Sequence, residues 1–395
     1  MDTILINKIF DRVLIDAKKF NGKLPPSTTD NNGRFFLSNG GGWTDSFFVG
    51  MLYLGFAYTG NEKFIELADK YQPFYKCRAE NDPDWCENNN VLPLDHDTGF
   101  IFSLSQVRRF RLLNDKNARS LALDAAKILA GRFNEKGRFI RAWDTWKWDD
   151  DPKFIEEKKG KMIIDSMMNI SLLFWAGKET GNSCFSDIAA AHADTIMKYI
   201  VRKDFSTFHQ FNFDPLTGTP INGCTGQGYS DDSCWSRGQS WAIYGFSQTY
   251  LNTGNVKYLE TAKNCAYYFI DHLSPCGLPL WDFSCTDKPF RPYDASAASV
   301  ALSGLLNIDY CINDKKIKRG IKIIYNGLIN HCSAMDIEDW ESLLLHACVG
   351  PAYHAENDNL LINPNVDCPI IYADYYFAEA VLKMYDRKKF VELLK

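Results

Sequence analysis

The chain has 395 residues, 46% of them apolar, 24% charged and 14% aromatic, with 44 Lys+Arg against 49 Asp+Glu for a formal charge of -5. That length and apolar content can close a large core, which excludes a disordered protein. The acidic balance without basic runs excludes a dedicated nucleic-acid binder, and no stretch nears the roughly 20 apolar residues that span a bilayer.

The first residues, Met1 to Phe10, lack a basic n-region, a long apolar h-region and a small-residue cleavage site. They read as the first helix of a cytoplasmic protein, running from about Asn7 to Phe20. One pattern then recurs along the chain. A polar or aromatic start leads into an apolar run, then a Gly/Asn turn, then an amphipathic run. Copies start at Trp43, Asp97, Asp165, Trp235 and Asp294, with a sixth at Asp374 that the C-terminus cuts short. The first helix supplies a partner for that sixth copy.

The second half of each copy is apolar on one face, as in Phe64, Ile65, Leu67 and Ala68, which predicts a surface helix. The first halves are apolar nearly all round, which predicts burial. Buried helices alternating with surface helices about six times predict an all-α fold, an (α/α)6 barrel or six-hairpin toroid. No low-complexity linker divides it, so residues 1–395 are expected to form a single catalytic domain. Phe139–Trp143 and Phe208–Phe213 alternate briefly, as short strands or extended loops at the mouth do. The bland alternative is an open helical solenoid that binds protein. Against it stand the polar starts, because Trp43, Asp45, His96, Asp97, Asp165, Trp235, Arg237 and Asp294 would all meet at one end of a closed ring. The twelve cysteines include no CxxC pair. Several fall inside apolar helical patterns, where free Cys acts as a small hydrophobe.

The motifs of several chemistries are missing: no P-loop, no GxSxG elbow and no HExxH, while Gly40-Gly41-Gly42 follows no strand-like run. The seven His offer no metal-ligand spacing. Carboxylates remain. Asp95, His96 and Asp97 stand together at the entry to a buried helix. Capping explains an isolated Asp there, but not three such residues. Asp165 lies between Ile163-Ile164 and Met167-Met168, where poor solvation raises a carboxyl pKa. A second carboxylate nearby raises one of the pair further. If Asp97 and Asp165 face each other, one holds a proton near neutrality and serves as general acid. In the block around His209 and Gln227–Trp241, Arg237 and Trp241 sit one helical turn apart. The Arg offers a fork for a carboxylate and the Trp a platform for a sugar face. The bland reading of these two is a buried ion pair and a core Trp. Trp43, Trp143, Trp146 and Trp148 add further aromatic surface, of which some must be core.

At Asp95-His-Asp-Thr-Gly-Phe100, Ile163-Ile-Asp-Ser-Met-Met-Asn169, Ser206-Thr-Phe-His209 followed by Asp214-Pro215, Gln227 to Ala242 and Ile371 to Ala380, the chain resembles the unsaturated glucuronyl hydrolases, glycoside hydrolase family 88. The likeness runs over nearly the whole chain, and the fold it implies is the (α/α)6 barrel. It implies a disaccharide-sized unsaturated uronic-acid oligosaccharide as substrate, made by a polysaccharide lyase. It also implies hydration of the C4=C5 vinyl ether instead of attack at the anomeric carbon. A proton goes to C4, water adds at C5, and the resulting hemiketal opens and releases the sugar chain. The resemblance makes Asp165 the general acid/base and Asp97 the second carboxylate. His209, Gln227, Arg237 and Trp241 match substrate contacts, with Trp43 and Trp143 as aromatic walls and Arg237 offsetting the uronate charge; His96 and Tyr353 are further expected contacts. No metal, organic cofactor, nucleic-acid or membrane partner is implied, and a monomer or weak homo-oligomer is expected.

Two departures stand out. Cys77 to Leu92, with Glu80, Asp82, Asp84 and Glu87, forms an extra acidic loop, and the loop after Trp143 is long. Tyr353 to Pro364 has no Lys where members favouring sulfated fragments carry a Ser-x-x-Ser-x-Lys motif, so preference for sulfated substrates is expected to be weak. The alternatives are an unsaturated rhamnogalacturonyl hydrolase or another barrel enzyme such as a sugar epimerase, and a non-catalytic binding toroid.

Overall fold

The structure is a computed structural model that describes residues 3–25, 27–81, 83–88, 91, 93–144, 152–288, 290–353 and 366–395. Trp146, Trp148, Asp82 and the segment 354–365 lie outside the described residues, as does the side chain of Glu87.

The chain folds as an (α/α)6 barrel. Outer helix α1 (Thr3–Phe20) comes first. The first hairpin pairs inner α2 (Asp45–Thr59) with outer α3 (Lys63–Asp69). The extra segment before Asp95 is helical, as α4 (Gln72–Glu80) and α5 (Pro83–Asn88). The second inner segment is α6 (Thr98–Phe102), a π-helical turn over Ser103–Val107 and α7 (Arg108–Leu113), with α8 (Lys116–Ala130) outside. Next comes α9 (Pro152–Lys159), in the long loop after Trp143. The third hairpin is α10 (Ser166–Asn169) and α11 (Ser171–Thr180) against α12 (Ser183–Tyr199). The fourth is α13 (Ser236–Thr253) with α14 (Val256–Asp271), and the fifth α15 (Ala295–Cys311) with α16 (Lys315–Cys332). The sixth inner helix, α17 (Ile371–Tyr385), is followed by short α18 (Arg387–Leu394). Helix α1 packs on α2 and α17, as the truncated sixth copy required. The ring closes through α2–α6, α6–α10, α10–α13, α13–α15, α15–α17 and α17–α2.

The repeated Gly-Asn turn has a direct cause. Gly60, Gly181 and Gly254 end inner helices at φ of 68°, 72° and 70°, a conformation that costs Gly nothing. Asn182 and Asn255 then cap the outer helices, as Asp115 and Asp314 do elsewhere, each accepting backbone N–H bonds on its side-chain oxygen.

Short strands sit at the mouth. β1 (Phe133–Asn134) pairs with β2 (Phe139–Ile140). β3 (Lys161–Ile163), β4 (Gln210–Phe213) and β5 (Pro220–Cys224) form an antiparallel sheet in that order, with Ile163 opposite Gln210. β6 (Ala347–Cys348) pairs with β7 (Val366–Cys368). Below the mouth the barrel axis is filled by rings. Phe47 contacts Phe100 and Tyr372 at centroid distances of 5.5 and 5.7 Å, and Trp241 contacts Phe100 and Tyr376 at 5.5 and 5.7 Å. Deeper still, Lys383 pairs with Glu379 at 2.7 Å, both fully buried, and Ser303 and Tyr244 also donate to Glu379. All twelve cysteines are free.

Candidate active site

At the ring's mouth a cavity of about 460 Å³ is lined by Gly41, Gly42, Trp43, Arg78, Pro93, Asp95, His96, Asp97, Ile101, Trp143, Lys158, Ile163, Asp165 and Gln227. The inner helices place its carboxyls. Asp97 and Asp165 stand at the N-cap positions of α6 and α10, yet neither side chain caps its helix. For α6 Asn169 takes that work instead, accepting the Phe100 N–H at 2.6 Å, while Asp95 accepts the Asp97 N–H at 2.8 Å. The short sheet sets the register on the other side: the Ile164 N–H donates to the His209 carbonyl at 3.0 Å, which brings Asp165 beside the His209 ring.

Asn169 ties the Asp97 carboxyl to the backbone of Asp165. Its Nδ2 lies 3.3 Å from both Asp97 Oδ1 and the Asp165 carbonyl. Burial raises the pKa of Asp97 well above the ordinary range, and the charges of Asp95 and Asp165 raise it further. Burial likewise raises Asp165 to about 7, against the opposing pull of Arg237, its own backbone N–H and Trp241. With both carboxyls raised by burial, the site keeps a proton at neutral pH. Asp165 Oδ2 is buried without a hydrogen-bond partner.

The two histidines of the site are neutral. Burial pushes His209 down to about 3 and His96 well below its usual value. His209 Nδ1 accepts the backbone N–H groups of Gly226 and Gln227 at 2.9 and 3.1 Å. That fixes the tautomer with hydrogen on Nε2, which lies 3.8 Å from Asp165 Oδ2. His96 Nδ1 lies 3.3 Å from Ser166 Oγ, and its ring meets Trp143 edge-on at 5.8 Å.

Four expected contacts, His209, Arg237, Trp241 and Tyr353, are not among the residues that line the cavity. Arg237 is buried behind the cavity with its guanidinium committed to protein. It donates to Asp294 at 3.0 Å, Ser296 at 3.3 Å, the Val349 carbonyl at 2.8 Å, the Cys348 carbonyl and Gln227 Oε1 at 2.6 Å. Because Gln227 Oε1 is taken, its amide nitrogen is the end left for the cavity. Arg237 thus positions Gln227 and acts on Asp165 through its field, and does not present a fork to the substrate. Trp241 is fully buried in the aromatic plug, so it offers no sugar platform. It lies beneath Asp165 and helps to hold that pKa down. Tyr353 packs on Tyr229 and Trp281, each at 5.7 Å, and donates to the Phe290 carbonyl at 2.8 Å. It is not part of the cavity wall. Tyr and Trp on a loop or an inward helix face give the same sequence signal whether they meet ligand or core.

Sequence reasoning missed Arg78 on α4 and Lys158 on α9, both lining the cavity. Arg78 lies in the field of Asp45 and Asp95. Asp45 in turn accepts the Gly41 N–H at 2.7 Å and so holds the glycine loop that enters the wall. Gly41 has φ 130° and needs to be glycine. Asp95, His96 and Asp97 bring one ligand atom each within 4.8 Å of one another, a spacing that a metal ion can use. The bonds of Asp95 to the Asp97 N–H and of Asp97 to Asn169 explain the same grouping as a turn.

A family model described as Glycosyl Hydrolase Family 88 matches residues 17–377. An unsaturated glucuronyl hydrolase of Bacillus sp. (strain GL1) is 35% identical over 375 residues, covering 93% of both chains. An unsaturated chondroitin disaccharide hydrolase of Streptococcus pyogenes serotype M1 is 32% identical, covering 95% of this chain and 88% of that one. The crystal structure of an unsaturated glucuronyl hydrolase from Bacillus sp. GL1 superposes with a TM-score of 0.82 at 33% identity, covering 96% of this chain and 97% of the other.

Proposed function

Because this chain belongs to glycosyl hydrolase family 88 and is a glycoside hydrolase, we propose that it removes the Δ4,5-unsaturated glucuronic acid from the non-reducing end of disaccharide-sized oligosaccharides by adding water across C4=C5. The observation that carries this reading is Asp165. It is a buried carboxyl with a pKa of about 7, one oxygen unpartnered, beside a second carboxyl in a cavity flanked by Trp43 and Trp143.

Protonated Asp165 gives its hydrogen to C4, and positive charge develops at C5 and the ring oxygen. The carboxylate so formed takes a proton from water as that water's oxygen bonds to C5. The hemiketal opens, and the leaving sugar departs with its own oxygen. Asp97 keeps the proton count of the pair right and holds a ring hydroxyl. Neutral His209 presents Nε2–H and Gln227 its amide nitrogen to the uronate. Trp43 and Trp143 cover the sugar faces. We take residues 1–395 as one catalytic domain.

The direct test is a near-ultraviolet assay with a lyase-made unsaturated disaccharide. Steady loss of the conjugated-alkene absorbance is expected, and unchanged absorbance at high enzyme concentration would end this reading. The pH profile gives a second check. The acid form of Asp165 donates, so kcat/KM should fall as pH rises through about 7. The two histidines are neutral throughout this range and supply no competing limb. A profile flat to strongly alkaline pH would move the proton donor elsewhere.

A further inference from the structure

The loop that carries Gln227 runs between the end of β5 at Cys224 and the start of α13 at Ser236. Gly226 and Gly228 flank Gln227, so this stretch has little side-chain packing of its own and hydrogen bonds must hold it. Six consecutive N–H groups are taken. Thr225 donates to Asp231 Oδ1 at 2.8 Å, and Gly226 and Gln227 donate to His209 Nδ1. Gly228 donates to Thr225 Oγ1 at 2.8 Å, Tyr229 to Asp282 Oδ2 at 2.9 Å and Ser230 to Ser233 Oγ at 3.0 Å. Two of these acceptors lie outside the loop: His209, beside Asp165, and Asp282.

Asp282 comes from the connection between α14 and α15, which runs beside the end of the loop. The Ser236 N–H donates to the Trp281 carbonyl at 3.1 Å and the Phe283 N–H to the Cys234 carbonyl at 3.0 Å. The Asp282 carboxyl is fully buried and outside the described lining of the cavity. Its Oδ2 accepts both the Tyr229 N–H and the Ser233 hydroxyl, the latter at 2.7 Å, and its Oδ1 accepts the Ser284 N–H at 2.9 Å. Burial raises its pKa, and these bonds oppose the rise. A carboxyl is costly to bury unless its oxygens are used, and two of the three donors that use them belong to this loop. The approach is close. A Cβ on Gly228 would stand 3.0 Å from Asp282 Oδ2 and 3.1 Å from Ser233 Oγ.

The grip has a consequence on the opposite side of the loop. The Gly226 and Gln227 N–H groups point at His209 Nδ1, where a hydrogen would set donor against donor, so the ring hydrogen stays on Nε2. That nitrogen faces Asp165 Oδ2 at 3.8 Å. The same backbone carries Gln227 to the cavity, and Arg237 holds only the far end of its side chain.

Resting on the functional reading above, we propose that Asp282 is a positioning residue: through the loop it holds Gln227 at the cavity and keeps the His209 hydrogen on Nε2.

Two variants test this. Asp282→Ala removes all three acceptor bonds, whereas Asp282→Asn keeps an amide oxygen for Tyr229 and Ser233. Nitrogen NMR of protein labelled in histidine reads the His209 ring at pH 7, its signals identified by their loss in His209→Gln. Nδ1 should carry no hydrogen in the parent and in Asp282→Asn, and should gain one in Asp282→Ala. Kinetics with an unsaturated disaccharide gives a second readout. KM should rise roughly tenfold in Asp282→Ala, the scale of a lost hydrogen bond to a charged group, with kcat nearly kept. Asp282→Asn should restore most of that rise. A barrel that was merely less stable would lose active enzyme, and so apparent kcat, at unchanged KM. If Asp282→Ala does not fold, Ser233→Ala takes its place with the same expectations, because it withdraws a donor from the same oxygen. Nδ1 without hydrogen, or KM unchanged, in the loosened variant overturns the proposal. If the parent turns over no disaccharide, the reading of the reaction falls, and the His209 signals still decide the role of Asp282.

Discussion

Asp165→Asn is expected to lower turnover of an unsaturated disaccharide by roughly a thousandfold, the scale of a lost general acid–base group. The barrel should stay folded. The amide is nearly isosteric, and the side chain caps no helix, so no structural bond is lost. Its carboxyl is also a liability to the fold. A folded-state pKa raised from 3.8 to about 7 means the native state holds the proton more tightly than the unfolded chain. The linked stability is full below the unfolded value and is lost as pH rises through about 7. An amide has no such loss. The variant should therefore melt at or above the parent at pH 8 and show less gain on acidification. Wild-type activity in the variant would remove Asp165 from the chemistry. A large drop in melting temperature would mean that lost activity reflects lost structure.

Arg237→Met is expected to destabilise the protein by about 3–5 kcal/mol, the cost of leaving a buried charge without its partner. Asp294 would keep the backbone N–H groups of Ser296 and Ala297 but lose its guanidinium, while the Cys348 and Val349 carbonyls would lose buried donors. Gln227 would be free to flip. Urea unfolding at pH 7 measures the first effect. Arg237→Lys separates the second, because it keeps the charge but not the fork, so KM should still rise. A loss under about 1 kcal/mol for Arg237→Met would contradict the fully committed guanidinium seen here.

Much of this architecture was readable from residues alone, for physical reasons. The ring could be read because each Gly-Asn turn carries its own chemistry: left-handed Gly60 or Gly254 ends one helix, and Asn255 starts the next. Asp165 stood out because a carboxyl bordered by apolar residues is costly to bury, and Asp97 because two carboxyls and a His exceed what a helix cap needs. Arg237 and Trp241 show the limit. Their spacing correctly put them on one turn of α13, but spacing cannot say whether that face meets solvent or neighbours. The neighbours won: Trp241 fills the axis and Arg237 binds three elements. Lys158 was hidden in a stretch read as loop, although Pro152 at the start and two lysines in the last turn are ordinary helix-boundary signs. The π-helical turn at Ser103–Val107 has no comparable sign, because it depends on how α6 and α7 fit their neighbours.

The packed rings of Phe47, Phe100, Trp241, Tyr372 and Tyr376 make the barrel a blind well. A polymer cannot thread through it, so only a chain terminus reaches the carboxyls, and the interior of a long polysaccharide is beyond attack. The freed keto acid has to back out through the opening by which it came. Product that lingers at the bottom therefore blocks the next molecule, and inhibition by the released acid should be competitive.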